Sequence, residues 1–134
     1  MDLLERLRDA INQVPSLPMK CILGYLTTDD SLALYPLPGS HLLEEDYAGN
    51  QEWQMNYEVA FRTKDQQKAN ATLWLVSQRI DTLMDDDLVS ADSSFEFEAL
   101  EINGQPNISE QDVRGYSTYQ LSFAVTVSTT QDAA

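Results

Sequence analysis

Two stretches alternate apolar and polar residues with a period of two, and one of them runs straight into a helix. In residues 53–62, Trp53, Met55, Tyr57, Val59 and Phe61 point one way, while Gln54, Asn56, Glu58 and Arg62 point the other. This is the signature of a strand with one wet face. Three residues later the period changes. Thr63 and Gln66 have capping-box spacing, and Ala69, Leu73, Val76, Ile80 and Leu83 form one helical stripe running to about Met84. Near the C-terminus, Tyr119, Leu121, Phe123, Val125 and Val127 alternate with Gln120, Ser122, Thr126 and Ser128. Strands with one apolar face need a covering layer, so helices must pack on a sheet.

The remaining segments fill in that plan. Leu4, Leu7, Ile11 and Val14 predict a helix over 2–14, with Asp2 and Glu5 at cap spacing and Pro15 and Pro18 ending it. Residues 20–26 and 31–35 read as strands around the turn "TTDD". In 94–102 the apolar register slips between Phe95/Phe97 and Leu100/Ile102, which calls for a bend or bulge near Ala99. Segments 36–52 and 103–115 lack periodicity and read as long loops. Short links between strands favour antiparallel neighbours, and the helix between strands permits one crossover. The expectation is a single α+β domain over 1–134: one mixed, mainly antiparallel β-sheet with two helices packed on one face.

Chemistry is hard to place on this chain. Twenty-two acids against eight bases give a net charge of −14, a surface that repels nucleic acid at long range. Cys21 is the only cysteine and lies in an apolar strand, so a buried inert thiol is expected and no internal disulfide is possible. His41 is the only histidine, and its neighbour Ser40 does not make it an oriented base. One His and one Cys cannot build a zinc site, and Asp85, Asp86 and Asp87 lack the spacing of a calcium loop. No glycine-rich phosphate loop is present, no cofactor is expected, and no apolar run approaches a membrane span. The opening "MDLLERLRDA" is acidic and amphipathic, unlike a signal peptide.

Two features remain after the core is accounted for. No base falls between Lys20 and Arg62, where there are seven acids, or between Arg79 and Arg114, where there are ten. Glu44, Glu45 and Asp46, with Asp85, Asp86 and Asp87, are therefore candidates for an acidic channel or partner face. The second feature is apolar residues off the helical stripe. At about 100° per residue, Leu75 should be exposed and Trp74 should sit at the border. Leu42, Leu43 and Tyr47 are equally unplaced. All five are candidates for a subunit interface.

The stretches "LALYPLPGS", "DYAGNQEWQMNYEVAFRTKDQQKANATLWLVSQRID" and "SSFEFEALEINGQPNISEQDVRGYSTYQLSFAVTVS" carry a resemblance over roughly Leu3 to Val127. In element order, PxPG turn, Gln/Ala-rich helix and Tyr-rich last strand, the chain resembles the minor capsid or tail terminator proteins of long-tailed bacteriophages. The resemblance implies a non-enzymatic virion protein, made in the bacterial host cytoplasm and sited at the head–tail junction. It implies a ring of copies, typically a hexamer, on the finished tail tube. That ring would stop tube growth and present a surface to the head–tail connector, with DNA passing through without specific binding. Other readings are another head–tail joining or tail-tube protein, a small acidic cytoplasmic binding module, and, weakest, a hydrolase using His41.

Overall fold

In the computed structural model of the chain, the described residues are 2–15, 17–27, 29–83, 88–90, 95–104 and 107–130. In chain order they form α1 (Leu3–Asn12), β1 (Cys21–Leu23), β2 (Ser31–Pro36), β3 (His41–Glu45), β4 (Asn50–Thr63), α2 (Gln66–Asp81), β5 (Glu96–Ile102), β6 (Asn107–Gln111) and β7 (Ser117–Thr130). The fold is α+β: two helices and a seven-stranded, mixed sheet that does not close.

β4 and β7, the two alternating stretches, are its axis. They pair antiparallel along their full length, from Asn50 opposite Thr130 to Thr63 opposite Ser117. Two strands share the outer edge of each. On β4, β3 pairs with the first part and β2 with the second. On β7, β6 pairs with the first part and β5 with the second. β4 and β5 are both antiparallel to β7 and so run in the same direction, with α2 as the crossover between them.

Leu3, Leu7 and Ile11 of α1 and Ala69, Leu73, Val76 and Ile80 of α2 are buried in the same core as Leu34, Val59, Phe61, Leu121 and Phe123. That face is the apolar register of both long strands. Burying each large side chain stabilises the fold by about 1.5–3 kcal/mol. The bulge falls where the slipped register requires it: pairing shifts between Phe97 and Ala99. The extra residue returns Phe97, Leu100 and Ile102 to one face, where all three pack against the core.

Several expectations are corrected. β1 and β2 are parallel, Cys21 opposite Leu32, rather than an antiparallel pair around "TTDD". Only three residues of β1 pair, so the link from Gly24 to Asp30 is long enough to carry the chain back to the starting level. Neither expected capping box forms. Asp2 lies 3.6 Å from Arg6 Nε and accepts a hydrogen bond from Ser90 Oγ at 2.6 Å. At α2, Asp65 is the cap and accepts from Lys68 N at 3.0 Å. The expected loops 36–52 and 103–115 each contain a strand, β3 and β6. Neither strand could announce itself by alternation, because each lies outside the core on an edge.

Phe123 is fully buried and packs on Tyr57 with ring centroids 5.9 Å apart. Phe123→Ala should lower unfolding free energy by about 3–5 kcal/mol in urea titration. A loss below about 1 kcal/mol would show that the β4–β7 face is not the core.

Candidate assembly interface

The two hairpins β3–β4 and β6–β7 use the same turn. In the first, Asp46 N donates to Asn50 O, Gly49 N donates to Asp46 O, and the Asp46 carboxylate accepts from Ala48 N and Asn50 N, each at 2.9 Å. In the second, Asp112 N donates to Tyr116 O and Gly115 N to Asp112 O, while the Asp112 carboxylate accepts from Arg114 N and Tyr116 N. Both turns need a glycine at positive φ, 86° at Gly49 and 91° at Gly115. The residue after each aspartate, Tyr47 or Val113, stands fully exposed at the tip. Along β4 the hairpin tips are separated by roughly 40 Å, from its fourteen residues at ~3.3 Å each.

The expected interface residues divide between two opposite edges. Leu42, Leu43 and Tyr47 are exposed on the β3–β4 hairpin; Leu42 lies opposite Trp53. Trp74 lies beyond β7, on the β5 side. It is 49% exposed and lines a shallow groove of about 330 Å³ with Ser77, Gln78, Asp81, Ile102 and Gly104. Leu75 is half-buried, so the order of the two is the reverse of the expectation. Arg79, one turn after Leu75, explains it. Arg79 Nε donates to Ala10 O at 3.2 Å and Nη2 to Gln13 Oε1 at 2.6 Å, both at the end of α1. The Leu75–Arg79 side of α2 therefore faces α1, and the Trp74–Gln78 side faces outwards.

Charge also separates along the ribbon. On the sheet face away from the helices, Glu44, Glu52, Ser128 and Glu96 stand opposite one another across four strands. Glu98 accepts from Ser128 Oγ at 2.6 Å in the same region. Glu45 accepts from Gln51 Nε2, and Asp46 is committed to its turn. Asp85, Asp86 and Asp87 lie outside the described residues. Midway along the same face, buried Glu58 accepts from Tyr35 Oη and, at 3.4 Å, from Ser122 Oγ.

The opposite end gathers three cations on one ring, which the linear sequence does not show. Arg62, Lys64 and Arg114 gather around the Tyr116 ring at 4.4, 5.0 and 5.3 Å from its centroid. Arg62 is ion-paired with Asp112. Positions 62–64 and 114 meet only because the end of β4 pairs with the start of β7. The turn motifs Asp46-x-x-Gly49 and Asp112-x-x-Gly115 were the available signal for both hairpins.

Among the described residues, reactive groups do not converge. His41 Nδ1 lies 2.8 Å from Gly39 O, and Ser40 Oγ accepts from Asn56 N at 3.1 Å, so Ser40 is tied to β4. Cys21 is buried, and burial pushes its thiol up to about 12, against a smaller opposing pull from Arg8. It is protonated at neutral pH and not a nucleophile. Among the described residues no three His, Cys, Asp or Glu side chains are placed to hold a metal, and no helix is long and apolar enough to cross a membrane.

The protein family described as "Bacteriophage tail terminator protein" matches residues 8–129. The match takes in all seven strands but for Thr130, the whole of α2 and the second half of α1. No individual curated protein matches the chain.

Cys21 should resist a thiol reagent in the native protein and react fully on denaturation, as followed by absorbance. Rapid native labelling would contradict its burial. The turn aspartates supply a pH dependence. Asp46 is held below the ordinary value of 3.8 chiefly by Asn50, and Asp112 chiefly by Arg62. A carboxyl depressed on folding adds stability that is complete above its unfolded value and lost as pH falls through its folded one. The Tm should therefore decline as pH drops below about 4. The double variant Asp46→Asn/Asp112→Asn should start lower at neutral pH and decline less steeply. Equal slopes would contradict this role.

Proposed function

The chain belongs to the bacteriophage tail terminator family, and from that premise we propose that it is a non-enzymatic virion protein that forms a ring on the head-proximal end of the tail tube. The ring stops tube growth and gives the head–tail connector a surface to dock on. The observation that carries this reading is the family match over 8–129, which spans nearly the whole sheet and its helical cover rather than one motif.

The geometry supports it. A closed ring needs two different patches per subunit, because a head-to-tail contact repeats by rotation. Exposed apolar groups lie at both edges of the sheet: Leu42, Leu43 and Tyr47 on the β3 side, and Trp74 in the groove with Ile102 on the β5 side. Leu75 is half-buried on the side of α2 that faces α1, so Trp74 is the contact residue of this helix. The exposed carboxylates Glu96, Glu98 and Glu101 of β5 suit a channel wall. Carboxylates offer phosphates no counter-charge, so DNA can slide past without binding. Glu44, Glu45 and Asp46 belong to the partner-facing hairpin. Hexameric closure, as in the family this chain resembles, is the expected stoichiometry.

Mixing the protein with purified tail tubes and imaging by electron microscopy tests this reading. Particles should sit only at tube ends and block further growth; decoration along the wall, or incorporation into it, would refute a terminator role. Trp74→Ala and Leu42→Asp should each keep native circular dichroism and lower end occupancy at least about tenfold, the effect of losing a central contact residue. Unchanged capping by both variants would remove these residues from the interface.

A further inference from the structure

The two ends of the ribbon differ in charge: glutamates line the β3–β4 hairpin, while at the β6–β7 turn Arg62 is paired with Asp112 and two further cations, Lys64 and Arg114, have no carboxylate partner among the described residues. Glu44 and Glu52 stand directly opposite each other on adjacent strands, a like-charge pair that weakens the ladder. Lys64 and Arg114 converge on one tyrosine ring, within about 10 Å of each other at most. Among the described residues, none of these four side chains forms an ion pair. Placing three of only eight bases on one ring, in a chain of net charge −14, does nothing for solubility. The two sites lie at opposite ends of the β4–β7 ribbon, so one molecule cannot bring its own together. A second copy can.

We propose that the acidic β3–β4 hairpin of one copy docks on the cation cluster at the β6–β7 turn of the next, with Glu44 and Glu52 facing Lys64 and Arg114. The inference rests on the ring reading above and adds a charged contact to its apolar one, since β5 and β6 lie in succession on the same outer edge of β7. The fully exposed tips, Tyr47 and Val113, would be covered in the same contact. Single exposed ion pairs contribute little to affinity. Their role here is orientation: acid against acid or base against base is repelled, so only the head-to-tail order is accepted. A nucleic-acid phosphate is the other anion available to the basic end. The overall negative charge repels DNA at long range, and only two cations there lack a carboxylate partner, too few for a phosphate-binding surface.

Charge reversal of the full-length chain tests this, with end occupancy on purified tail tubes as the readout and circular dichroism as the control for folding. Lys64→Glu/Arg114→Glu makes both hairpins acidic, and Glu44→Lys/Glu52→Lys makes both basic. Each variant alone should cap at least about tenfold fewer ends than the wild type. An equimolar mixture should cap normally, because acidic and basic copies can alternate around the ring. If either double variant fails to fold, Arg114→Glu and Glu44→Lys form the same pair of tests. Normal capping by either variant alone, or no rescue on mixing two folded variants, would overturn the inference and leave the terminator reading standing. Failure of the wild type to cap tubes would sink both. Retention of duplex DNA by the wild type, lost in Lys64→Glu/Arg114→Glu with capping intact, would assign the basic end to phosphate instead.

Discussion

The pairing of β4 with β7 governs the rest of the structure. Fourteen residues of each strand meet in continuous antiparallel register. That length does two things. It gives one apolar face wide enough to seat two helices, and it leaves each long strand with an outer edge that accommodates two short strands in succession. Shifting the register by one residue would turn Val59, Phe61, Leu121 and Phe123 towards solvent, so the pairing and the core specify each other. Among the described residues, the face away from the helices has no second layer. Small residues such as Ala33 and Ala60 are nonetheless shielded there, and Glu58 is held by Tyr35 and Ser122.

The antiparallel ribbon also places its two hairpins at opposite ends. Both are closed by an aspartate that accepts two backbone amide hydrogen bonds across its turn and by a glycine at positive φ, so both turns have the same defined geometry. One tip is flanked by glutamates and the other by cations around Tyr116. A subunit with a row of glutamates at one end and a cluster of cations at the other has a direction. Apolar groups are also exposed on both edges of the sheet, as the proposed rotational assembly requires. His41, Ser40 and Cys21 are each held by local hydrogen bonds or burial.

Much of this was legible in the residues. The period-two runs at 53–62 and 119–127 identified the central pair, and the slipped register at 94–102 located the bulge, because a face must stay apolar whichever way the backbone bends. What stayed hidden depends on neighbours that lie far away in sequence. Periodicity does not say which way an adjacent strand runs, so the parallel β1–β2 pair was misread. β3 lies on a solvated edge, and exposure on both sides erases alternation. The stripe on α2 fixed its inward face but not the flank that α1 would take, so Trp74 and Leu75 exchanged places. The basic cluster needed the β4–β7 pairing itself, since Lys64 and Arg114 are fifty residues apart.

The central claim is that copies join through unlike surfaces at the two ends of one sheet. A cryo-electron microscopy reconstruction of the capped tube end tests it most directly. It should show a closed ring in which the β3–β4 hairpin of each copy lies against the β6–β7 hairpin of its neighbour. Contacts between identical surfaces related by two-fold axes, or hairpins standing free in solvent around the ring, would contradict it.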